Sequence, residues 1–165
     1  MEDRDQRQPH LRIAGGQLVE ARLSAMQAWG PHRMEAVACV ADVLYVNDSR
    51  ATFLDATLES LGTIDRRIVW IVGAWSEDMG EGALQELMRE RVGAVVLFGP
   101  LADGSEDSLP PHLYRTDDLR TAVFMARELA CAGDAVLFSP ACPSGNGFAN
   151  YEERGAEFRR AVRDL

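Results

Sequence analysis

The sequence predicts a single α/β domain built on a doubly wound, mostly parallel sheet with helices on both faces, a three-layer arrangement. Two observations predict it. Four short runs are apolar at nearly every position, as strands covered on both faces require, and segments of helical period separate them. The 165 residues suffice for one core without a metal or disulfides. The four runs cover residues 43–46, 68–72, 94–98 and 135–138.

The N-terminal residues differ from the rest of the chain. Residues 1–16 have few apolar side chains and are predicted to form a flexible tail. Residues 17–30 are predicted to form a helix or an interdomain linker, which leaves residues 31–165 as the folded domain. Inside that domain, Thr52 followed by Asp55 has the pattern of a capping box, and it predicts a helix that Gly62 closes.

The second half of the chain predicts one long loop and two helices. Residues 99–111 are rich in Gly, Pro, Ser and Asp, which indicates a surface loop where a doubly wound fold would normally place a helix. A short strand at 113–115 should follow. The next helix is predicted over 117–131, with Thr116 or Asp117 as its cap and Gly133 at its end. The last helix is predicted over about 148–164.

Composition excludes several classes of function. The 17 basic and 26 acidic residues give a net charge of −9, which disfavours nucleic acid and anionic membranes as partners. All the basic residues are arginines, so lysine chemistry is excluded. No apolar run is long enough to span a bilayer. The three cysteines match neither a zinc site nor a disulfide framework, so we predict a cytoplasmic protein without a metal site.

The segment NDSRAT, residues 47–52, follows the first apolar run. A carboxylate at a strand end, followed by the free N–H groups of a helix start and a guanidinium, could hold a hydroxyl-bearing nucleotide beside an anion. The alternative is that Asp48, Ser49 and Thr52 only cap the helix. In open α/β sheets, ligands bind at this edge.

The segment SPACPSGNGFANYEERG, residues 139–155, follows the last apolar run. Its prolines and glycines favour a tight backbone path that leaves N–H groups available to an anion. Cys142 could be proposed as a nucleophile, but a packing thiol is the simpler interpretation because no histidine is suggested nearby.

Together with HRME at residues 32–35, these two segments resemble the C-terminal domain of the Mur ligases, the ATP-driven enzymes that build the peptidoglycan stem peptide. The resemblance covers residues 30–165 and is strongest with the members that add D-glutamate. It implies that Arg33 reaches the ATP phosphates and that Asp48 faces the nucleotide. It assigns no catalytic residue, and it implies that four side chains orient the amino acid: Arg50, Thr52, Ser144 and Tyr151.

The resemblance also implies a function for the chain. It would be the amino-acid-binding domain of an ATP-dependent amide-forming ligase that adds an amino acid, D-glutamate in the most similar members, to UDP-N-acetylmuramoyl-L-alanine. Its partners would be an N-terminal UDP-binding domain and a central ATPase domain, which would bind most of the ATP and Mg²⁺. Because the sequence has no G-x-x-x-x-G-K-[ST] phosphate loop, the chain alone should not form an acyl phosphate.

Two alternatives remain open. Arg50 stands where the family has a lysine, and Glu77 and Asp78 lie near the position of a second family lysine, which pairs with the side-chain carboxylate of glutamate. These changes suggest a degenerate stand-alone module that binds or interacts without catalysis. A dinucleotide-binding domain ranks last, because no G-x-G-x-x-G follows the first predicted strand.

Overall fold

The computed structural model describes residues 29–80 and 82–165. The predictions for residues 1–16, and for nearly all of 17–30, lie outside these residues. The described residues form a six-stranded sheet of order β1-β2-β6-β3-β4-β5, in which only β1 is antiparallel to its neighbour. The predicted doubly wound, mostly parallel sheet is therefore confirmed. Its strands are β1 (Glu35–Val40), β2 (Val43–Asn47), β3 (Ile68–Val72), β4 (Val92–Leu97), β5 (Leu113–Arg115) and β6 (Ala135–Phe138).

Helices cover both faces of the sheet. On one face, α1 (Leu54–Thr63) and α2 (Gly82–Arg91) pack on a core centred on Trp70. On the other face, α3 (Leu119–Leu129) and α4 (Tyr151–Arg163) pack on a core centred on Phe138. The alternating faces of the strands supply both cores, because β2, β3 and β6 are buried at every position. This arrangement gives the three predicted layers.

Strand β1 was not predicted, and the 43–46 run is the second strand rather than the first. Strand β1 forms one edge of the sheet, and five of its six residues are only half-buried. A bulge between Ala36 and Ala38 shifts its pairing with β2. Because an edge strand needs no continuous apolar run, the pattern of fully buried strands could not reveal it.

The predicted helix boundaries are wrong by one to three residues. The N-cap of α1 is Phe53, which makes no capping bond, so Thr52 is not the cap, and Gly62 lies inside the helix. The α3 cap is Asp118, whose carboxylate accepts the Thr121 N–H at 2.7 Å, rather than Thr116 or Asp117. Residue Gly133 lies in the turn after that helix, and α4 begins at Tyr151 behind an Asn150 cap.

The long loop and the short strand were predicted correctly. Residues 99–111 contain no α-helix, only a 3-10 turn at Glu106–Ser108, and β5 follows at the predicted position. The loop is fastened to the sheet edge by a bridge between Trp75 and Leu101. The Trp75 indole also donates to the Ser108 hydroxyl at 3.0 Å.

His32 lies in the segment just before β1 and contacts two other parts of the fold. Its backbone is left-handed, with φ 64°, and its imidazole Nδ1 lies 3.0 Å from the Ser49 hydroxyl. A Cβ on Gly155 of α4 would collide with both side chains, so the close approach requires glycine there. Burial and the nearby charge of Arg159 lower the pKa of His32. The segment before β1, the NDSRAT segment and α4 therefore meet at the His32 imidazole.

Replacing His32 with Asn should reduce the loss of stability in mild acid. Asparagine tolerates left-handed backbone and can still bond Ser49. In the unfolded chain His32 gains a proton near its ordinary pKa of 6.5, whereas the folded chain resists that proton. The free energy that His32 contributes is thus present above pH 6.5 and is lost as pH falls towards the lowered pKa.

Urea unfolding at pH 7.5 and pH 5.5 measures this difference. His32→Asn should lose less free energy of unfolding between the two pH values than the wild type loses. The control is His112→Asn, at an exposed position, which should keep the wild-type difference. Equal losses in the wild type and His32→Asn would contradict the prediction.

Candidate functional site

The segments 47–52 and 139–155, called the two signature segments below, lie side by side at the carboxyl edge of the sheet. Strands β2 and β6 are parallel neighbours, with Asn47 opposite Phe138 at their ends. The pairing continues into the turns, because the Asp48 N–H donates to the Phe138 carbonyl at 2.8 Å. The carboxyl edge predicted for a ligand therefore contains both segments.

Asp48 points into the protein. Its carboxylate is fully buried and accepts hydrogen bonds from the Ser60 hydroxyl at 2.6 Å, the Ser139 hydroxyl at 2.7 Å and the Met34 N–H at 3.1 Å. Burial raises the pKa of Asp48 and outweighs these hydrogen bonds, which act in the opposite direction. Asp48 thus connects the two signature segments and α1 through hydrogen bonds inside the protein.

Arg33 connects this buried carboxylate to the surface. Its Nη1 lies 3.1 Å from Asp48 Oδ1 and its Nη2 lies 2.7 Å from Glu59 Oε2. The Asp48 side chain is 0% exposed and that of Glu59 is 60% exposed, so the two ion pairs differ in kind. The Asp48 pair fixes the guanidinium, whereas the exposed Glu59 pair contributes little and can be exchanged.

Four of the six predicted site residues surround one open cavity of about 620 Å³. Arg33 lies on one side, Arg50 and Thr52 come from the turn after β2, and Tyr151 comes from the start of α4. The exposed Arg50 guanidinium lies 5.9 Å from the centre of the Tyr151 ring. The remaining lining residues are Phe53, Asp55, Ala56 and Glu59.

The other two predicted residues do not line this cavity. Asp48 lies beneath Arg33, and Ser144 is half-buried in the turn after β6. Glu77 and Asp78 are exposed in a 3-10 turn after β3 and do not line the cavity either. These two carboxylates therefore lie outside the cavity that Arg50 lines.

Arg154 is the residue that sequence analysis missed. It lies in the first turn of α4 and is only 2% exposed, and its guanidinium donates to main-chain carbonyls. Its guanidinium donates to Ser49 O at 2.9 and 3.2 Å, to Cys142 O at 2.9 Å and to Pro143 O at 3.1 Å. Burial lowers the pKa of Arg154. The EERG part of the second segment was the available signal, but arginines are seldom fully buried.

The turn after β6 packs closely on the turn after β3. A Cβ on Gly73 would lie 2.7 Å from the Cys142 sulfur, and the Asn146 amide donates to the Gly73 carbonyl at 3.1 Å. Burial raises the pKa of Cys142, which keeps the thiol protonated. This environment agrees with a packing role for Cys142.

Two further features concern the described residues as a whole. No group of three or more His, Cys, Asp or Glu side chains within 29–80 and 82–165 could hold a metal ion. None of the helices formed by these residues is long and apolar enough to cross a membrane.

Comparisons with known proteins agree with the resemblance of the two segments. Residues 32–142 match the family model described as the Mur ligase glutamate ligase domain. The UDP-N-acetylmuramoylalanine–D-glutamate ligase of Salinibacter ruber is 44% identical over 138 residues, which cover 82% of this chain and 30% of that protein. The corresponding ligase of Desulfosudis oleivorans is 37% identical over 157 residues, covering 93% of this chain and 34% of that protein.

The chain thus spans about a third of the length of these curated relatives. Among solved structures, the MurF ligase of Thermotoga maritima in complex with ADP superimposes with a TM-score of 0.50 and 20% identity. The match covers 91% of this chain and 39% of that chain, and it shows a shared fold. Together, the family match and the relatives show that the chain belongs to the Mur ligase family, as its C-terminal domain.

Proposed function

We propose that this chain is the amino-acid-binding domain of an ATP-dependent ligase that joins an amino acid to UDP-N-acetylmuramoyl-L-alanine in peptidoglycan synthesis. D-glutamate is the first amino acid to test, because the relatives are named for it. The partners would be a UDP-binding domain and an ATPase domain outside this chain, in a cytoplasmic setting.

The proposal rests on one property of Arg50: its guanidinium lines the cavity without an ion-pair partner among the described residues. Arg33, the other cation of the cavity, is engaged by Asp48 and Glu59, whereas Arg50 forms no ion pair with any described residue. A guanidinium can bind a carboxylate through two parallel hydrogen bonds. Arg50 is therefore suited to hold an amino-acid carboxylate, with Thr52 and Tyr151 beside it and Ser144 on the neighbouring turn.

In this proposal the domain contributes position rather than acid–base chemistry. Bound ATP would supply the phosphoryl group that activates the muramoyl-peptide carboxylate. The domain would present the amine of its bound amino acid to that activated carboxylate and exclude water as it closes. Holding two reactants in contact in this way removes much of the entropy cost of a bimolecular step.

The residues present fit only a small part of an ATP site. The sequence has no lysine and no phosphate loop, so most contacts to ATP and Mg²⁺ would come from the other domains. Arg33 can contribute one cation: a phosphate can take the place of the exposed Glu59 carboxylate while Asp48 keeps its hold. Asp48 would then support the nucleotide contact through Arg33.

A non-catalytic binding or interaction module is the second candidate. The exposed Glu77 and Asp78 favour it, because they add negative charge at the same sheet edge that would receive an acidic amino acid. Calorimetric titration separates the two candidates. Binding of a D- or L-amino acid supports the ligase domain, and a flat titration with all amino acids and nucleotides supports the module.

Arg50→Ala should weaken amino-acid binding by about tenfold to hundredfold, the value of a charged hydrogen-bonded contact. Titration of D-glutamate into the 165-residue chain measures this. The control is Arg127→Ala, which removes an exposed arginine of α3 that does not line the cavity. It should bind like the wild type. Equal affinity in Arg50→Ala and the wild type would remove Arg50 from the site.

Asp48→Asn should lower the free energy of unfolding by about 2–3 kcal/mol, because the buried carboxylate accepts several hydrogen bonds, one of them charged. Asp55→Asn, at an exposed position lining the same cavity, should change it by less than about 0.5 kcal/mol. Urea unfolding of the ligand-free chain measures both. An Asp48 that served only as a nucleotide contact would leave the ligand-free stability unchanged, and that result would refute its anchoring role.

A further inference from the structure

Arg154 holds the two signature turns together from inside the domain. The carbonyl of Ser49 belongs to the peptide group that precedes Arg50, and it receives two hydrogen bonds from the guanidinium. The carbonyl of Pro143 belongs to the peptide group that precedes Ser144, and it receives another. One rigid, planar side chain therefore fixes the backbone immediately before two of the predicted amino-acid contacts.

The same arginine also ties these turns to a third contact. Tyr151 and Arg154 lie three residues apart in the first turn of α4, so their side chains leave the helix on neighbouring positions. The Tyr151 ring faces the Arg50 guanidinium across 5.9 Å. The Arg50 N–H is itself held by the His32 carbonyl at 3.0 Å. The backbone around Arg50 is thus constrained from both sides.

Burying the Arg154 guanidinium costs desolvation free energy, so stability alone does not explain its position. No described carboxylate forms an ion pair with Arg154, although it is only 2% exposed. A buried cation loses most of its hydration, and buried charged groups can often be replaced by apolar ones without loss of stability. The hydrogen bonds to main-chain carbonyls offset only part of this desolvation free energy. A role in geometry accounts for the retained charge better than a role in stability does.

We propose that Arg154 is a positioning residue, which sets the spacing between Arg50, Ser144 and Tyr151 and thereby the affinity for the amino acid. The affinity part of this inference rests on the proposed amino-acid site. The geometric part does not, because it concerns the backbone of the two turns in the ligand-free chain.

Arg154→Lys and Arg154→Met test the proposal in the 165-residue chain. Lysine keeps the charge but lacks the planar fork that spans both turns, and methionine removes every donor. Amide hydrogen exchange in residues 47–52 and 141–147 should accelerate by about tenfold or more in Arg154→Lys and further in Arg154→Met, while β3 exchanges as in the wild type. Titrated D-glutamate should bind about tenfold more weakly to Arg154→Lys.

Arg160→Lys is the matched control, because Arg160 lies on the same helix, is exposed and, among the described residues, forms an ion pair only with Glu157. It should leave exchange and affinity unchanged. If Arg154→Met does not fold, Arg154→Lys decides the outcome. Wild-type exchange in both turns of Arg154→Lys would overturn the proposal, and so would acceleration spread evenly over β3 and the turns, which indicates a purely structural role.

The affinity result separates this proposal from the proposed function. If wild-type chain binds D-glutamate and Arg154→Lys binds it equally well, positioning is refuted and the amino-acid site stands. If the wild type binds no amino acid, the amino-acid site fails. Local acceleration at the two turns would then still support the clamp on the backbone, and its absence would overturn that as well.

Discussion

The parallel pairing of β2 with β6 is the constraint on which the site depends. These strands are about ninety residues apart in the sequence, yet their register places Asn47 opposite Phe138 and so brings both signature turns to one edge. The pairing is reinforced where the strands end, by Asp48 bound to Ser139 below the cavity and by Arg154 bound to both turns. Without this register, the predicted contacts would lie on separate strand ends with no common cavity.

The sequence reveals the parts of the fold in which burial is uniform. Strands β2, β3, β4 and β6 are continuous apolar runs because helices cover both of their faces, and that pattern has few alternatives. Strand β1 lies at the edge with a bulge and half-buried residues, so its sequence carries no comparable pattern. The caps were misplaced because neighbouring residues carry similar capping side chains: Asp118, rather than Thr116 or Asp117, accepts the Thr121 N–H, and α1 begins after Phe53 with no capping bond from a side chain.

For the site, the sequence indicates which residues cluster but not which way they face. The strand-end positions predict that Arg50, Thr52 and Tyr151 approach one another, and the cavity contains all three. The direction of Asp48 depends on Ser60 in α1 and Ser139 after β6, which are distant in sequence. The hydrogen-bond partners of Arg154 could not be predicted from the sequence either, because they are main-chain carbonyls. Every residue has such a carbonyl, so no residue type marks the acceptor.

The buried side chains of Asp48 and Arg154 give the two sides of the cavity different charge. The net charge of −9 for the whole chain does not reveal this difference. Arg33 shares its charge between Asp48 and Glu59, so that side of the cavity has no cation in excess. Arg154 is buried without a carboxylate directly behind the Ser49 carbonyl, and Arg50 follows one residue later. Because buried charges are screened much less than exposed ones, their field persists at ordinary salt concentrations. If the proposed amino-acid site is correct, a zwitterion in the cavity would place its carboxylate towards Arg50 and its amine towards the side of Glu59 and Asp55.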